Sequence, residues 1–264
     1  MLRSDNQSYL KERSLIRNLL ASGTQTDLID LDLVELADGE RVTLDRDGET
    51  AAVVLSGVVD ARVNDVDLGS AGGRSSVFEA PGDTVYAPPG HLELTASGGS
   101  ARVAVASAPL ADEPAATARI VRPADQDVED RGDGNWRRTV RTILGPGDAA
   151  GRLLVGETIN PAGNWSSYPP HKHDTHEPPR EVQLEEVYYY LLDPPDGFGI
   201  QLLYNGEGEK AFTVRSDDAV AIRDGYHPLV AAPGYRLYYL WIMAGQGRQM
   251  IPYLDPRHAW LQTG

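Results

Sequence analysis

The chain has 264 residues, 41% of them hydrophobic, with 27 glycines, 18 prolines, no cysteine and a formal charge of −15. That length allows one large or two modest domains and enough apolar material for a core, while the frequent breakers exclude an all-α bundle. With no basic run the composition excludes a nucleic-acid scaffold, and no apolar stretch approaches the roughly 18 residues of a membrane span. Small molecules are the expected partners, and a homo-oligomer is compatible with the composition.

The N-terminal stretch MLRSDNQSYLKERSLIRNLL scatters charges where a signal peptide would carry its apolar segment, so a cytoplasmic address is expected. Apolar residues at Leu10, Leu15, Ile16, Leu19 and Leu20 predict a short amphipathic helix over Ser8 to Leu20. From Leu31 onward the pattern becomes short β-type runs, such as Ala51 to Leu55 and Arg102 to Ala106, divided by DGE, SGG and PPG clusters. The segment from Ala111 to Gly134 is polar and rich in breakers, and strand-like runs resume at Thr139 to Leu144 and Leu153 to Thr158. A junction near Pro123 therefore divides the chain into residues 1–122 and 123–264. An internal repeat supports this cut: DTVYAPPG at Asp83 to Gly90 and DAVAIRDG at Asp218 to Gly225 share their Asp, Val and Gly spacing, and an apolar strand follows each. The predicted fold is all-β, two tandem jelly-roll barrels with a few short helices, which closes the sheet edges and leaves a barrel interior for a ligand.

With no cysteine, any metal site must use histidine and carboxylate, so the six histidines carry the information. His171 and His173 form HKH, and residues i and i+2 of a strand project from one face, so both imidazoles can point into a barrel. Glu186 opens the apolar strand EVYYYLL, and His227 follows the turn RDGY. Three histidines and a glutamate suit one divalent metal, zinc first, with manganese, iron, cobalt or nickel also compatible. Glu177 offers a tighter spacing to His173 but runs into PPR, which cannot begin a paired strand. Glu186 is therefore preferred; Glu185 should face the other way, and Glu181 lies in the loop.

The repeat places Leu92 opposite His227 and Thr50 opposite Glu186, and no HxH precedes residue 171. The first barrel is thus expected to lack metal. His91, beside its turn, reads as a surface residue.

At HKH, together with EVYYYLLDPPDGFGIQLLY and GYHPLVAAPGYRLYYLWIMAG, the sequence resembles the 5-deoxyglucuronate isomerase family, bicupin enzymes of bacterial myo-inositol breakdown related to the 5-keto-4-deoxyuronate isomerases. The resemblance runs from about Gly39 to Gly245, through SSVFEAPGDTVYAPPG and RGDGNWRRTV, and NWSSYPPHKHD is its most specific block. It implies a two-cupin fold with metal on His171, His173, Glu186 and His227. It also implies aldose–ketose isomerisation of 5-deoxy-D-glucuronate to 5-dehydro-2-deoxy-D-gluconate. The loop THEPPREV departs from the family's acidic version, with Arg180 where a carboxylate is expected.

Such a reaction needs a Lewis acid that grips the carbonyl and its neighbouring hydroxyl, and a base that moves a proton between two carbons. Strand alternation aims Tyr188 and Tyr190 to the same side as Glu186, which makes them the candidate catalytic oxygens; Tyr239 and Trp241 read as strand filling. A sugar-acid substrate gains no long-range attraction from a chain of charge −15, so a local cation is required, and Arg223, Arg180 and Lys172 are the candidates. Competing readings are an Fe(II) oxygenase or related uronate isomerase on the same ligands, and a non-catalytic sugar-sensing cupin.

Overall fold

A computed structural model gives the fold of residues 15–111 and 116–262. The first half contributes ten strands: β1 (Ile16–Leu20), β2 (Asp30–Leu36), β3 (Arg41–Arg46), β4 (Glu49–Ser56), β5 (Val58–Val63), β6 (Val66–Gly72), β7 (Thr84–Ala87), β8 (Gly90–Ala96), β9 (Ala101–Ala108) and β10 (Arg119–Val121). The second half adds β11 (Asp127–Arg131), β12 (Arg138–Leu144), β13 (Leu154–Asn160), β14 (Trp165–Ser166), β15 (His171–Lys172), β16 (Leu184–Asp193), β17 (Gly199–Tyr204), β18 (Glu209–Val214), β19 (Ala219–Ile222), β20 (Leu229–Ala231), β21 (Arg236–Gly245) and β22 (Tyr253–Leu254). Among the described residues helix is confined to short 3₁₀ turns at Pro123–Asp125, Gly134–Trp136 and Pro256–Gln262. The chain is all-β, as its breaker-rich strand pattern predicts.

Two sheets come from each half. Orders β1-β2-β9-β4-β7-β10 and β3-β8-β5-β6 form the first barrel, and β11-β12-β13-β21-β16-β19 with β14-β20-β17-β18 form the second. The short pair β15·β22 ties the HKH segment to the C-terminal strap. The registers repeat. Thr50 pairs with Ala87 and Ser107, and Glu186, its counterpart, pairs with Ile222 and Met243.

Alternation along β16 decides what faces the second barrel's interior. Leu184, Tyr188, Tyr190 and Leu192 join its inner core, while Val187 and Tyr189 turn outward into a separate core shared with Leu31, Val53, Tyr86 and Ala104 of the first barrel. The six-stranded sheets of the two halves therefore pack face to face. The first barrel has its own filling of Val34, Leu44, Val54, Leu92 and Leu94.

The predicted helix over Ser8 to Leu20 does not survive where the structure describes it. Ile16–Leu20 is a strand with Ile16 opposite Val34 and Leu20 opposite Leu31, and residues 1–14 lie outside the described residues. The open edge of β2 supplies backbone partners to a segment whose helical period was weak, and the sheet wins.

Candidate metal centre

The site begins with two local structures. His171 sits in β15, with Lys172 turned to the far side, where its ammonium meets Asp174 and, at 3.1 Å, Glu181. Glu181 also accepts backbone N–H bonds from Asp174 (2.7 Å) and Thr175 (2.9 Å), which fixes the loop just past His173. Asp174 reaches across to accept from the Gly225 amide at 2.8 Å. The HKH loop and the turn before His227 are thereby joined. Gly225 has φ +81°, and a Cβ there would stand 2.6 Å from the Tyr204 carbonyl oxygen, so the glycine shared by both repeat copies is required by this turn.

The three imidazoles converge, with candidate ligand nitrogens all within 4.8 Å of one another. Each is oriented from behind by a backbone carbonyl. His171 Nδ1 lies 3.3 Å from Pro169 O, His173 Nδ1 2.6 Å from Leu184 O, and His227 Nδ1 3.1 Å from Gly225 O. Donation of the Nδ1 hydrogen leaves each Nε2 as a lone-pair donor toward the centre, the tautomer that a metal requires. Glu186 completes the group, its Oε2 3.0 Å from His173 Nε2 and 3.2 Å from His227 Nε2. His227 is fully buried, and its Nε2 makes no well-directed hydrogen bond. A buried nitrogen left so is costly in protein alone and fits a metal at this point.

The electrostatics fit the same reading. Burial would raise the Glu186 carboxyl, but the close contacts of His173 and His227 overcome it and hold the group down at about 2. Burial works against a charge on His173, and contact with Glu186 outweighs it and raises its pKa. His171 is pushed down to about 3 by burial, with His227 and His173 adding to the effect. A carboxylate and a neutral His171 are thus available to a divalent cation, which would displace any proton held by His173.

His171, His173 and Glu186 of this group line a cavity of about 400 Å³, with His227 buried behind them. Apolar walls come from Val140, Leu184, Trp241, Met243, Met250 and Ile251, and polar groups from Thr158, Ser167, Tyr188 and Tyr239. Trp241 lies against Gly156, where a Cβ would stand 2.0 Å from its ring, so the missing side chain shapes this wall. Tyr188 shares a 2.7 Å hydrogen bond with Ser167, and Tyr239 one of 2.6 Å with Ser166. Burial, reinforced by the Glu186 charge, raises Tyr188 well above its ordinary value and keeps it a neutral phenol.

The structure brings together His171, His173, Glu186, His227 and Tyr188, but other candidates lie elsewhere. Tyr190 does not line the cavity and donates to Gln201 Oε1 at 2.7 Å. Glu177, with 59% of its side chain exposed, pairs with Arg180. None of the three cations expected at the substrate carboxylate lines the cavity: Arg223 pairs with Asp27, Arg180 stacks 4.5 Å from the centroid of the Tyr253 ring, and Lys172 is held by Asp174 and Glu181. Two cations missed by sequence reasoning do line it, Arg131 and Arg138, flanking the turn GDGNWR. A hairpin drawn across that turn would have placed them opposite each other.

In the first barrel, Thr50 Oγ1 meets Ser107 Oγ at 3.1 Å where Glu186 stands in the second, and Leu92 is buried core where His227 stands. His91 is exposed and pairs with Asp45.

The profile of the KduI/IolB family matches residues 5–261. The 5-deoxy-glucuronate isomerase of Bacillus subtilis (strain 168) is 36% identical over 253 residues, 94% of this chain and 92% of its own. That of Halalkalibacterium halodurans is 35% identical over 254 residues, 94% and 93% of the two chains. Among solved structures, an IolB-like protein from Salmonella typhimurium LT2 superposes with a TM-score of 0.86 at 31% identity, covering 95% of this chain and all of that one. The oxalate decarboxylase of Lactobacillus farciminis shares the fold alone, with a TM-score of 0.61 at 9% identity over 90% of this chain and 81% of its own. By the family profile and by relatives matched over nearly their whole length, the chain belongs to the KduI/IolB family.

Proposed function

We propose that this protein is a metal-dependent aldose–ketose isomerase that converts 5-deoxy-D-glucuronate to 5-dehydro-2-deoxy-D-gluconate in inositol breakdown. The observation that carries the reading is the convergence of three backbone-oriented histidines and Glu186 beside a cavity of about 400 Å³, which His171, His173 and Glu186 line. The substrate is taken from the names of relatives at 36% identity.

His171, His173, Glu186 and His227 would hold one divalent ion, zinc being the first choice for this set of nitrogen and oxygen donors. Bound there, the ion would polarise the carbonyl and steady negative charge on the two neighbouring oxygens. The first barrel, residues 1–122, would pack against and support the second, residues 123–264, without a metal of its own.

The protein's own groups have the remaining work. Isomerisation moves one proton from C2 to C1 and another from the C2 hydroxyl to the C1 oxygen, with no net gain or loss of electrons. Among the described residues Glu186 is the only carboxylate lining the cavity, which directs the proton shuttle to Glu186 itself or to the phenols of Tyr188 and Tyr239. Tyr188, kept neutral by its surroundings and backed by Ser167, is suited to hold a proton on a substrate oxygen. The apolar wall of Trp241, Met243 and Ile251 limits water at the reacting carbons.

Proton NMR of 5-deoxyglucuronate incubated with the protein in sealed, oxygen-free buffer tests the reading. Appearance of the ketose without oxygen is expected. Turnover that consumes oxygen on added Fe(II) would move the assignment to an oxygenase on the same ligands.

A further inference from the structure

We propose that Arg138, assisted by Arg131, is the residue that receives the substrate's carboxylate, so that the sugar acid spans the cavity between the metal centre and this arginine pair. The inference rests on the isomerase reading for the identity of the substrate.

Arg138 is 8% exposed and lines the same cavity as His171, His173 and Glu186. Its one hydrogen bond runs from Nη1 to Trp136 O at 3.2 Å, and it forms no ion pair among the described residues. Its Nε is buried with no partner at all. A guanidinium carries five N–H donors and keeps its charge in proteins, so a buried one without a carboxylate is an unbalanced cation. The other buried cation among the described residues is not left so: Arg74 lies against Glu157, with bonds of 3.1 and 2.5 Å.

The second observation is the register of the hairpin β11–β12. Arg131 and Arg138 are directly opposite each other across the strand pair. Like charges in that relation are destabilising unless an anion lies near both. Arg131 has Glu129 as its ion-pair partner, and the same half-exposed carboxylate attracts Arg138 only from beyond ion-pair distance, so two facing cations share one acid and one positive charge facing the cavity is left over. The turn holds this geometry. Gly132 has φ +81°, and a Cβ there would stand 2.4 Å from Trp136 O and 3.0 Å from Arg138 Nη1, so the loop carbonyl can approach the guanidinium and aim it only over a glycine.

A planar fork with free donors matches a carboxylate in two-point contact. The other lining residues offer an acid no further cation: the remaining polar side chains are hydroxyls, the indoles of Trp136 and Trp241, His171, His173 and Glu186, whose charge would repel it. Arg138 therefore sorts sugar acids from neutral sugars, a task that the chain's overall charge of −15 cannot perform.

The test compares 5-deoxyglucuronate with 5-deoxyglucose, which carries a primary alcohol in place of the carboxylate, by calorimetric titration into the metal-loaded protein and by steady-state kinetics. Arg138→Met should cut the affinity ratio of acid to alcohol on the order of a hundredfold, as expected for one partner of a desolvated charge pair. KM for the acid should rise while kcat changes little, because the contact forms in ground state and transition state alike. If Arg138→Met does not fold, Arg138→Lys gives the same reading on a smaller scale, its ratio falling several-fold because a point charge replaces the fork. An unchanged ratio in either folded variant, or a wild-type protein that binds acid and alcohol equally, overturns the proposal. A wild-type protein that prefers the acid but leaves it unisomerised counts against the reaction and not against Arg138.

Discussion

Glu49 and Glu185 stand at equivalent positions in the two barrels and make the same contact in opposite directions. Glu49 accepts from three successive backbone amides of the second half, Gly151, Arg152 and Leu153, and Glu185 accepts from Asp27, Leu28 and Ile29 of the first. Each is the residue before the metal-site position, which is Thr50 in one barrel and Glu186 in the other. Period-2 alternation thus sends one carboxylate of the β16 pair into the centre and its neighbour into the joint between barrels.

This reciprocity predicts a separation of effects. Glu49→Gln and Glu185→Gln replace an acceptor-only group with one that presents an NH₂ to amide donors, at a cost of roughly 2 kcal/mol each. For a chain of this size that lowers the melting temperature by about 4–8 °C. Metal content should stay unchanged in both, which thermal denaturation and metal analysis of the same samples would establish. Loss of metal in Glu185→Gln at unchanged stability would contradict the assignment of roles.

Glu186→Gln should weaken metal binding by at least about a hundredfold, more than the loss of an outer partner usually costs. Glu177→Gln should leave it unchanged, since Glu177 is exposed and paired with Arg180. Competition against a chromophoric chelator reads both. Metal retained by the Glu186 variant and lost by the Glu177 variant would reverse the choice of carboxylate.

Metal uptake should release protons in a specific way. His173 is raised by Glu186 in the metal-free centre, whereas His171 stays neutral down to about 3 and Glu186 stays ionised down to about 2. The raised His173 means that its pairing with Glu186 stabilises the metal-free fold below the ordinary histidine range, and that this contribution fades as pH rises through the folded pKa. Across the same interval metal affinity should rise with pH, because the His173 proton competes with the metal. Calorimetry in buffers of differing ionisation enthalpy would detect its release. Metal binding with no proton release at mildly acidic pH would contradict this picture.

Tyr188→Phe should lower kcat by roughly a hundredfold, the scale of a positioned acid–base group, with metal content intact. Tyr190→Phe should act chiefly through stability, since its hydroxyl is bonded to Gln201 and does not line the cavity. Equal losses of kcat in the two variants would remove Tyr188 from the proton shuttle.

The clustering of His171, His173, Glu186 and His227 was legible because it obeys short-range rules. HKH needs only strand alternation, Glu186 only its place at the head of EVYYYLL, and His227 only the turn glycine of the repeat. The cations that line the cavity were not legible. Arg223, Arg180 and Lys172 lie close in sequence to the ligands, yet nearby acids hold each outside the cavity, while Arg138 reaches it from a hairpin remote in sequence. The strand at Ile16–Leu20 escaped for a similar reason, since its partner β2 is a tertiary neighbour.

The most direct test of the account is activity measured against bound metal. The protein is stripped by chelation and reloaded in graded steps in oxygen-free buffer, and NMR follows conversion from the aldose and from the ketose at each step. Both rates should rise together from zero in proportion to metal and level off at one ion per chain, and His227→Ala should stay inactive at every step. Turnover after complete removal of metal, dependence on oxygen, or saturation only at two ions per chain would contradict a single-metal isomerase built on His171, His173, Glu186 and His227.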